Sequence, residues 1–113
     1  MPKILIAAHI DVDPARREEC LKKAQPYIDG ALSQDGCLCY SWAADLHNPS
    51  RIEVFEEWSD EEALARHFQD VHYASMLAHI GSFGLINAES AKYRVDAEGP
   101  VYNADGKPTP AFD

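Results

Sequence analysis

Cysteine is scarce in this chain, and positive charge is scarcer than negative. The three cysteines, Cys20, Cys37 and Cys39, are an odd number, too few for a disulfide framework or a four-thiolate zinc site. Cys37 and Cys39, two apart on a strand, are expected on one face of it as small hydrophobes. Ten basic residues stand against 19 acidic ones, a formal charge of −9. The basic residues are scattered as pairs such as Arg16-Arg17 and Lys22-Lys23. No local patch therefore offsets the repulsion of a phosphate backbone, which argues against nucleic acid as a partner. Long apolar runs are missing as well. The longest early one, residues 4–8, falls far short of a signal peptide's apolar region and of the ~20 residues a membrane span needs. A cytoplasmic protein with no membrane contact is the expectation. No internal repeat or low-complexity segment occurs.

What is present suffices for a core. Of 113 residues, 46% are hydrophobic, and scaling surface with mass gives ~6,200 Å² folded against ~18,000 Å² unfolded, so one domain can bury roughly two-thirds of its surface. Residues 3–10, KILIAAHI, read as a buried strand ended by Asp11 and Asp13. Asp13 suits a helix N-cap and Pro14 its first position, and Cys20, Leu21, Ala24, Ile28, Ala31 and Leu32 recur at helical spacing. Pro26 bends or splits this helix, and Asp35-Gly36 ends it. Residues 37–46 and 51–59 form a hairpin around the turn His47-Asn48-Pro49-Ser50. Ser59 with Glu62 reads as a capping box, opening a helical region from Asp60 that carries Ala63, Leu64, His67, Phe68 and Val71 on one stripe and resumes after a break at residues 73–80. A last strand over residues 88–95 completes a domain of residues 1–96. The tail, 97–113, holds Gly99, Pro100, Gly106, Pro108 and Pro110 and is expected to be extended or irregular.

The order β-α-β-β-α-β is the split pattern of a four-stranded antiparallel sheet with its helices on one face, an α+β fold. Strand residues alternate onto two faces, and both are apolar here: Leu38, Tyr40, Trp42 and Ala44 against Cys37, Cys39 and Ala43, and Ile4, Ile6, Ala8 and Ile10 against Leu5 and Ala7. Helices cover one face only. A second copy laid sheet against sheet would cover the other, so a homodimer is expected.

The segment Gly36-Cys37-Leu38-Cys39-Tyr40, then Glu56-Glu57-Trp58-Ser59-Asp60-Glu61-Glu62-Ala63-Leu64, then His67 and His72-Tyr73, resembles the antibiotic biosynthesis monooxygenase domain family, the quinol monooxygenase type included. The likeness spans residues 2–96. It implies a ferredoxin-like protomer, a dimeric α+β barrel, and a pocket between helices and sheet. It also implies oxygenation of phenolic or hydroquinone-like aromatics by dioxygen with neither metal nor flavin, hence no cofactor.

That reaction needs a base of near-neutral pKa, an apolar aromatic-lined cavity and a donor for the developing oxyanion. His67 is the candidate base, since its helix stripe faces the sheet and imidazole titrates in the right range; the same pattern also suits a buried histidine satisfied by a backbone carbonyl. His72 is a second catalytic candidate, although five residues on it lies about 140° around an unbroken helix, and a loop or cap role fits it too. Glu56 shares a strand face with Ile52, Val54 and Trp58, so its carboxylate is either raised in pKa or paired with Lys92 or Arg94. Tyr40, Trp42, Phe55, Trp58, Phe68 and Tyr73 are candidates to wall a flat aromatic site, although large aromatics at strand and helix spacing more often fill the core. His9 can face either the pocket or a dimer seam.

Five histidines invite a metal, yet no H-x-x-x-H occurs, and His72 and His79, seven apart, are separated by about 10 Å of helical rise. The haem-degrading relatives of this fold carry a ligating histidine at a slot that falls on Leu77 here, and a tryptophan at the slot of His67, so haem is disfavoured unless a helix break brings His79 into register. Three classes of function stay open: a cofactor-independent monooxygenase of a small aromatic, a proton-transfer isomerase using the same base, and a non-catalytic dimeric ligand-binding or stress-response domain.

Overall fold

A computed structural model describes residues 2–112. The elements run β1 (Ile4–Asp11), α1 (Arg17–Lys23), α2 (Gln25–Leu32), β2 (Cys37–Ala44), β3 (Arg51–Trp58), α3 (Glu61–Gln69), α4 (Val71–Gly81) and β4 (Asn87–Arg94). The strands form one antiparallel sheet in the order β2-β3-β1-β4. This is the expected ferredoxin-like α+β topology, with each helical region divided in two.

Each division has a local cause. Pro26 cannot donate to a continuing helix and sits in the first turn of α2, so the chain breaks at Ala24. Asp70, extended at ψ 148, ends α3 and caps α4 by accepting the His72 backbone N–H at 2.8 Å. Two expected caps move. Asp13 Oδ1 accepts the Ala15 N–H at 3.0 Å and closes a turn, and α1 starts only at Arg17. Asp60, not Ser59, caps α3 by accepting the Ala63 N–H at 2.8 Å. Gly36 opens β2 because nothing larger fits: its φ is +86, and a Cβ there would stand 2.5 Å from the Cβ of Ala63.

A bulge between Cys37 and Cys39 corrects the reading of those two residues. Cys37 pairs with Trp58 and Cys39 with Glu57, which are neighbours on β3, so the two thiols lie on opposite faces. Cys37 packs into the core beneath the helices.

The helices cover the sheet unevenly. Under α1, α2 and the end of α4, Val12, Cys20, Ala24, Ile52, Val54, Met76, Ile80 and Phe83 close into one cluster; Ile4, Ile6, Ala31, Tyr40, Trp58, Ala63 and Leu64 form a second under α2 and α3. No helix packs over β4, all of whose residues are exposed, and α3 touches its end through the Glu61–Arg94 pair. On the helix-free face, Leu5, Ala7, Phe55, Ala91 and Tyr93 make a central apolar patch beside Glu53, Glu57 and Glu89. That face is therefore less apolar than alternation alone suggests, although Phe55 and Tyr93 remain 43% and 56% exposed. Residues 97–112 contain no helix or strand; a single bridge, Tyr102 to Pro108, folds them back on themselves.

Candidate functional site

His67 is 1% exposed although it lies on a short helix. Ala63 and Leu64, a turn earlier on α3, are buried on the same stripe and carry the imidazole down to the sheet. Aromatic rings surround it, with centroids at 4.5 Å (Trp58), 5.3 Å (Tyr73), 5.6 Å (Tyr40) and 6.0 Å (Phe68).

The ring's hydrogen bonds define its chemistry. Nδ1 lies 2.7 Å from Oε1 of Gln34, in the turn after α2. An amide oxygen only accepts, so Nδ1 carries the proton and Nε2 the lone pair. Nε2 is 4.0 Å from Oε1 of Glu56, beyond hydrogen-bonding reach. Burial lowers the His67 pKa below its ordinary 6.5, and the charge of Asp70 opposes this only in part. The imidazole is thus neutral at physiological pH, and its contact with Glu56 is not an ion pair. Burial pushes the Glu56 carboxyl up, opposed by the Trp58 indole N–H, which donates to Oε1 at 2.9 Å. Burial and the nearby Glu56 charge also push the Tyr40 hydroxyl up, which keeps it a protonated donor.

A cleft of about 260 Å³ opens between α3, α4 and the β1–β4 edge of the sheet. Tyr40, Trp42, Glu56, His67, Phe68 and Tyr73 line it, with Ile6, Val54, Met76 and Leu77 as apolar wall. The Trp42 indole nitrogen is buried and has no hydrogen-bond partner. It lies beside the Tyr40 hydroxyl and opposes that group's upward shift, and with no exposed surface it offers the cleft no donor.

The structure thus gathers His67, Tyr40, Trp42, Glu56, Phe68 and Tyr73 in one place. It leaves others out. Trp58, fully buried, stands behind His67 and does not line the cleft. Phe55 opposes Ala7 and Ser41 on the helix-free face. The His72 ring lies over Gly30 of α2, where a Cβ would come within 2.3 Å of it, so it serves the α2–α4 contact rather than the cleft. His79 Nε2 donates to the Cys20 carbonyl at 2.8 Å. His9, by contrast, does border the cleft, with Nε2 3.2 Å from Oε2 of Glu89 on β4. The expected pairing of Glu56 with Lys92 or Arg94 does not form: Arg94 is taken by Glu61, and Trp58 supplies the donor to Glu56. Gln34 escaped sequence reasoning because a glutamine in a turn carries no periodic or motif signal.

Comparison with known proteins fits this geometry. Residues 3–78 match the family model described as antibiotic biosynthesis monooxygenase. The chain is 33% identical over 70 residues to an uncharacterized protein of Synechocystis sp., covering 62% of this chain and 48% of that one, so the match spans about half that relative's length. It is 28% identical over 75 residues to "Putative monooxygenase YcnE" of Bacillus subtilis, covering 66% and 79%. A conserved protein from Methanosarcina mazei superposes with a TM-score of 0.75 at 26% identity, covering 83% of this chain and 93% of that one. An antibiotic biosynthesis monooxygenase, named as putative, from Deinococcus radiodurans superposes with a TM-score of 0.80 over 88% and 99% of the two chains; at 13% identity that likeness is one of fold. Among the described residues, no helix is long and apolar enough to cross a membrane.

Proposed function

The chain belongs to the antibiotic biosynthesis monooxygenase family, and from that premise we propose that it is a cytoplasmic, cofactor-independent monooxygenase. Its substrate is a small phenolic or hydroquinone-like aromatic, bound in the cleft of the 1–96 domain. The observation that carries this reading is the fixed tautomer of His67: Gln34 holds Nδ1–H at 2.7 Å, burial keeps the ring neutral, and Nε2 is left with a free lone pair.

Nε2 takes the proton of the substrate hydroxyl, and the resulting phenolate passes one electron to dioxygen. The radical pair combines to form a carbon–oxygen bond, giving a hydroperoxide at ring carbon, with the His67 imidazolium returning its proton to the peroxide. Loss of water, which removes that carbon's hydrogen and the terminal peroxide oxygen as hydroxide, leaves a quinone. One dioxygen is consumed, with one oxygen atom in product and one in water. The Tyr40 hydroxyl, kept protonated at the cleft wall, donates to the phenolate oxygen, and the low-polarity aromatic wall strengthens that bond.

Oxygen uptake by the protein as isolated, across hydroquinones, naphthols and anthrones with metal chelator present, tests the reading. Uptake that disappears in His67→Ala is expected. No uptake by the wild-type protein on any of the panel, with solvent deuterium entering a carbonyl's α position instead, would replace it with the isomerase reading.

The helix-free face supports a homodimer packed sheet on sheet. The exposed rings of Phe55 and Tyr93 lie on that face beside Leu5, Ala7 and Ala91. Light scattering should give twice 12.6 kDa, and Phe55→Glu should return the monomer mass.

A further inference from the structure

Next to the cleft lies a second depression that the reaction above does not use. It is a groove of about 470 Å³ between α3 and β4, floored by Ile4, Leu64, Ala65 and Phe68, with Lys92 and Arg94 on its rim. Phe68 lines the cleft as well, so one ring is common to both. The register sets Lys92 beside Ile6, itself a wall residue of the cleft.

The two rim cations differ. Arg94 is held by Glu61 at the edge of the groove. Lys92 has no carboxylate within 4.0 Å among the described residues. This is unusual in the molecule: Lys3, Lys22, Lys23, Arg51, Arg66 and Arg94 are engaged by carboxylates, and Arg16 and Arg17 donate to main-chain oxygens. Of the other two, Lys107 lies in the tail, leaving Lys92 as the unpaired ammonium beside an apolar surface. In a chain of formal charge −9, an approaching anion is repelled over most of the surface and meets locally uncompensated positive charge here.

We propose that the groove receives a carboxylate carried by the aromatic substrate, paired with the Lys92 ammonium while the ring lies across Phe68 into the cleft. This rests on the cleft's being an aromatic-binding site, and it narrows the substrate class to phenolic or hydroquinone acids. Lys92 is thereby a specificity-determining residue, and the Arg94–Glu61 pair closes the groove's far side.

The test is binding without turnover. Trp42 lines the cleft, so tryptophan fluorescence is titrated anaerobically with 2,5-dihydroxybenzoate and with its methyl ester. The acid is expected to bind on the order of tenfold tighter than the ester, the scale of one charge-assisted hydrogen bond in a partly dry site. That ratio should fall near one in Lys92→Met, invert in Lys92→Glu, and shrink as ionic strength rises. Equal affinity for acid and ester, binding of neither, or a preference that survives Lys92→Met would overturn the proposal. Admitting air then separates the two ideas: an acid preference without oxygen uptake would leave the groove standing and remove the oxygenase.

Discussion

His67 and His79 sit on consecutive helices, each with a ring nitrogen engaged and each stacked among aromatic rings, yet only one has the makings of a base. His79 donates Nε2–H to the Cys20 main chain at 2.8 Å, with ring centroids of Tyr27 at 5.3 Å and Phe83 at 4.8 Å, against the closed cluster around Ile52. His67 is held by a side-chain amide from another element, and its remaining nitrogen borders a cleft. Aromatic company is thus common to both, although His67 is fully buried and His79 only half-buried. What differs is the neighbourhood: His79 packs against Tyr27 and Phe83 beside the Ile52 cluster, whereas His67 borders the open strip next to β4.

The largest expected effect breaks the pair apart. His67→Ala should lower kcat by about 10²- to 10⁴-fold, the usual worth of a positioned general base. His79→Ala should keep turnover and lose about 1 kcal/mol of stability, because its bond to the Cys20 carbonyl is lost while that carbonyl still accepts the Ala24 N–H. Oxygen uptake and urea unfolding read the two, and equal loss of turnover in both would erase the distinction.

The same contrast extends to packing. Ile52, fully buried at the closed end, should cost about 2–5 kcal/mol when cut to alanine. Phe68, 46% exposed at the open end, should cost no more than about 1 kcal/mol and act instead by raising KM. Denaturant midpoints alongside steady-state kinetics would sharpen the division or dissolve it.

A smaller effect probes how His67 is held. The rate should fall as pH drops and His67 is protonated, with the limb below the ordinary histidine value of 6.5, because burial favours the neutral ring. Gln34→Leu removes an acceptor that also stabilises the imidazolium, so the limb should move further down and kcat/KM fall roughly tenfold. An unmoved limb would show that Gln34 does not position the base.

The smallest concerns Glu56, whose folded pKa is raised by burial. The folded chain keeps this proton to higher pH than the unfolded one, so the cost of ionisation appears as pH climbs through 4.5 and is complete above the folded value. Glu56→Gln should therefore stabilise the protein by about 1 kcal/mol near pH 7, with no gain near pH 4. Thermal unfolding at both pH values checks it, and a loss at neutral pH would mean the charge is needed.

Much of this was legible beforehand, for local reasons. The apolar run of β1, the turn at His47-Asn48-Pro49-Ser50 and Pro26 each act within a few residues, so pattern and backbone chemistry located the strands and the split of the first helical region. His67 could be found because its stripe, shared with Ala63 and Leu64, had to face the sheet. Gln34 could not, since it meets His67 across 33 positions of chain. Trp58 looked like a wall and stands behind the base; His72 looked like a second donor and packs on Gly30, because the turn at Asp70 re-aims α4.

The amino-acid order alone determined the succession of elements, the antiparallel layer and the burial of His67, since periodicity and caps are properties of neighbouring residues. Tertiary structure decided the rest: which ring nitrogen carries the proton, which aromatics border empty space, and which cations find a partner. Those depend on side chains brought together from distant segments, where a shift of one residue at the Cys37 bulge or of one turn at Asp70 changes what touches what.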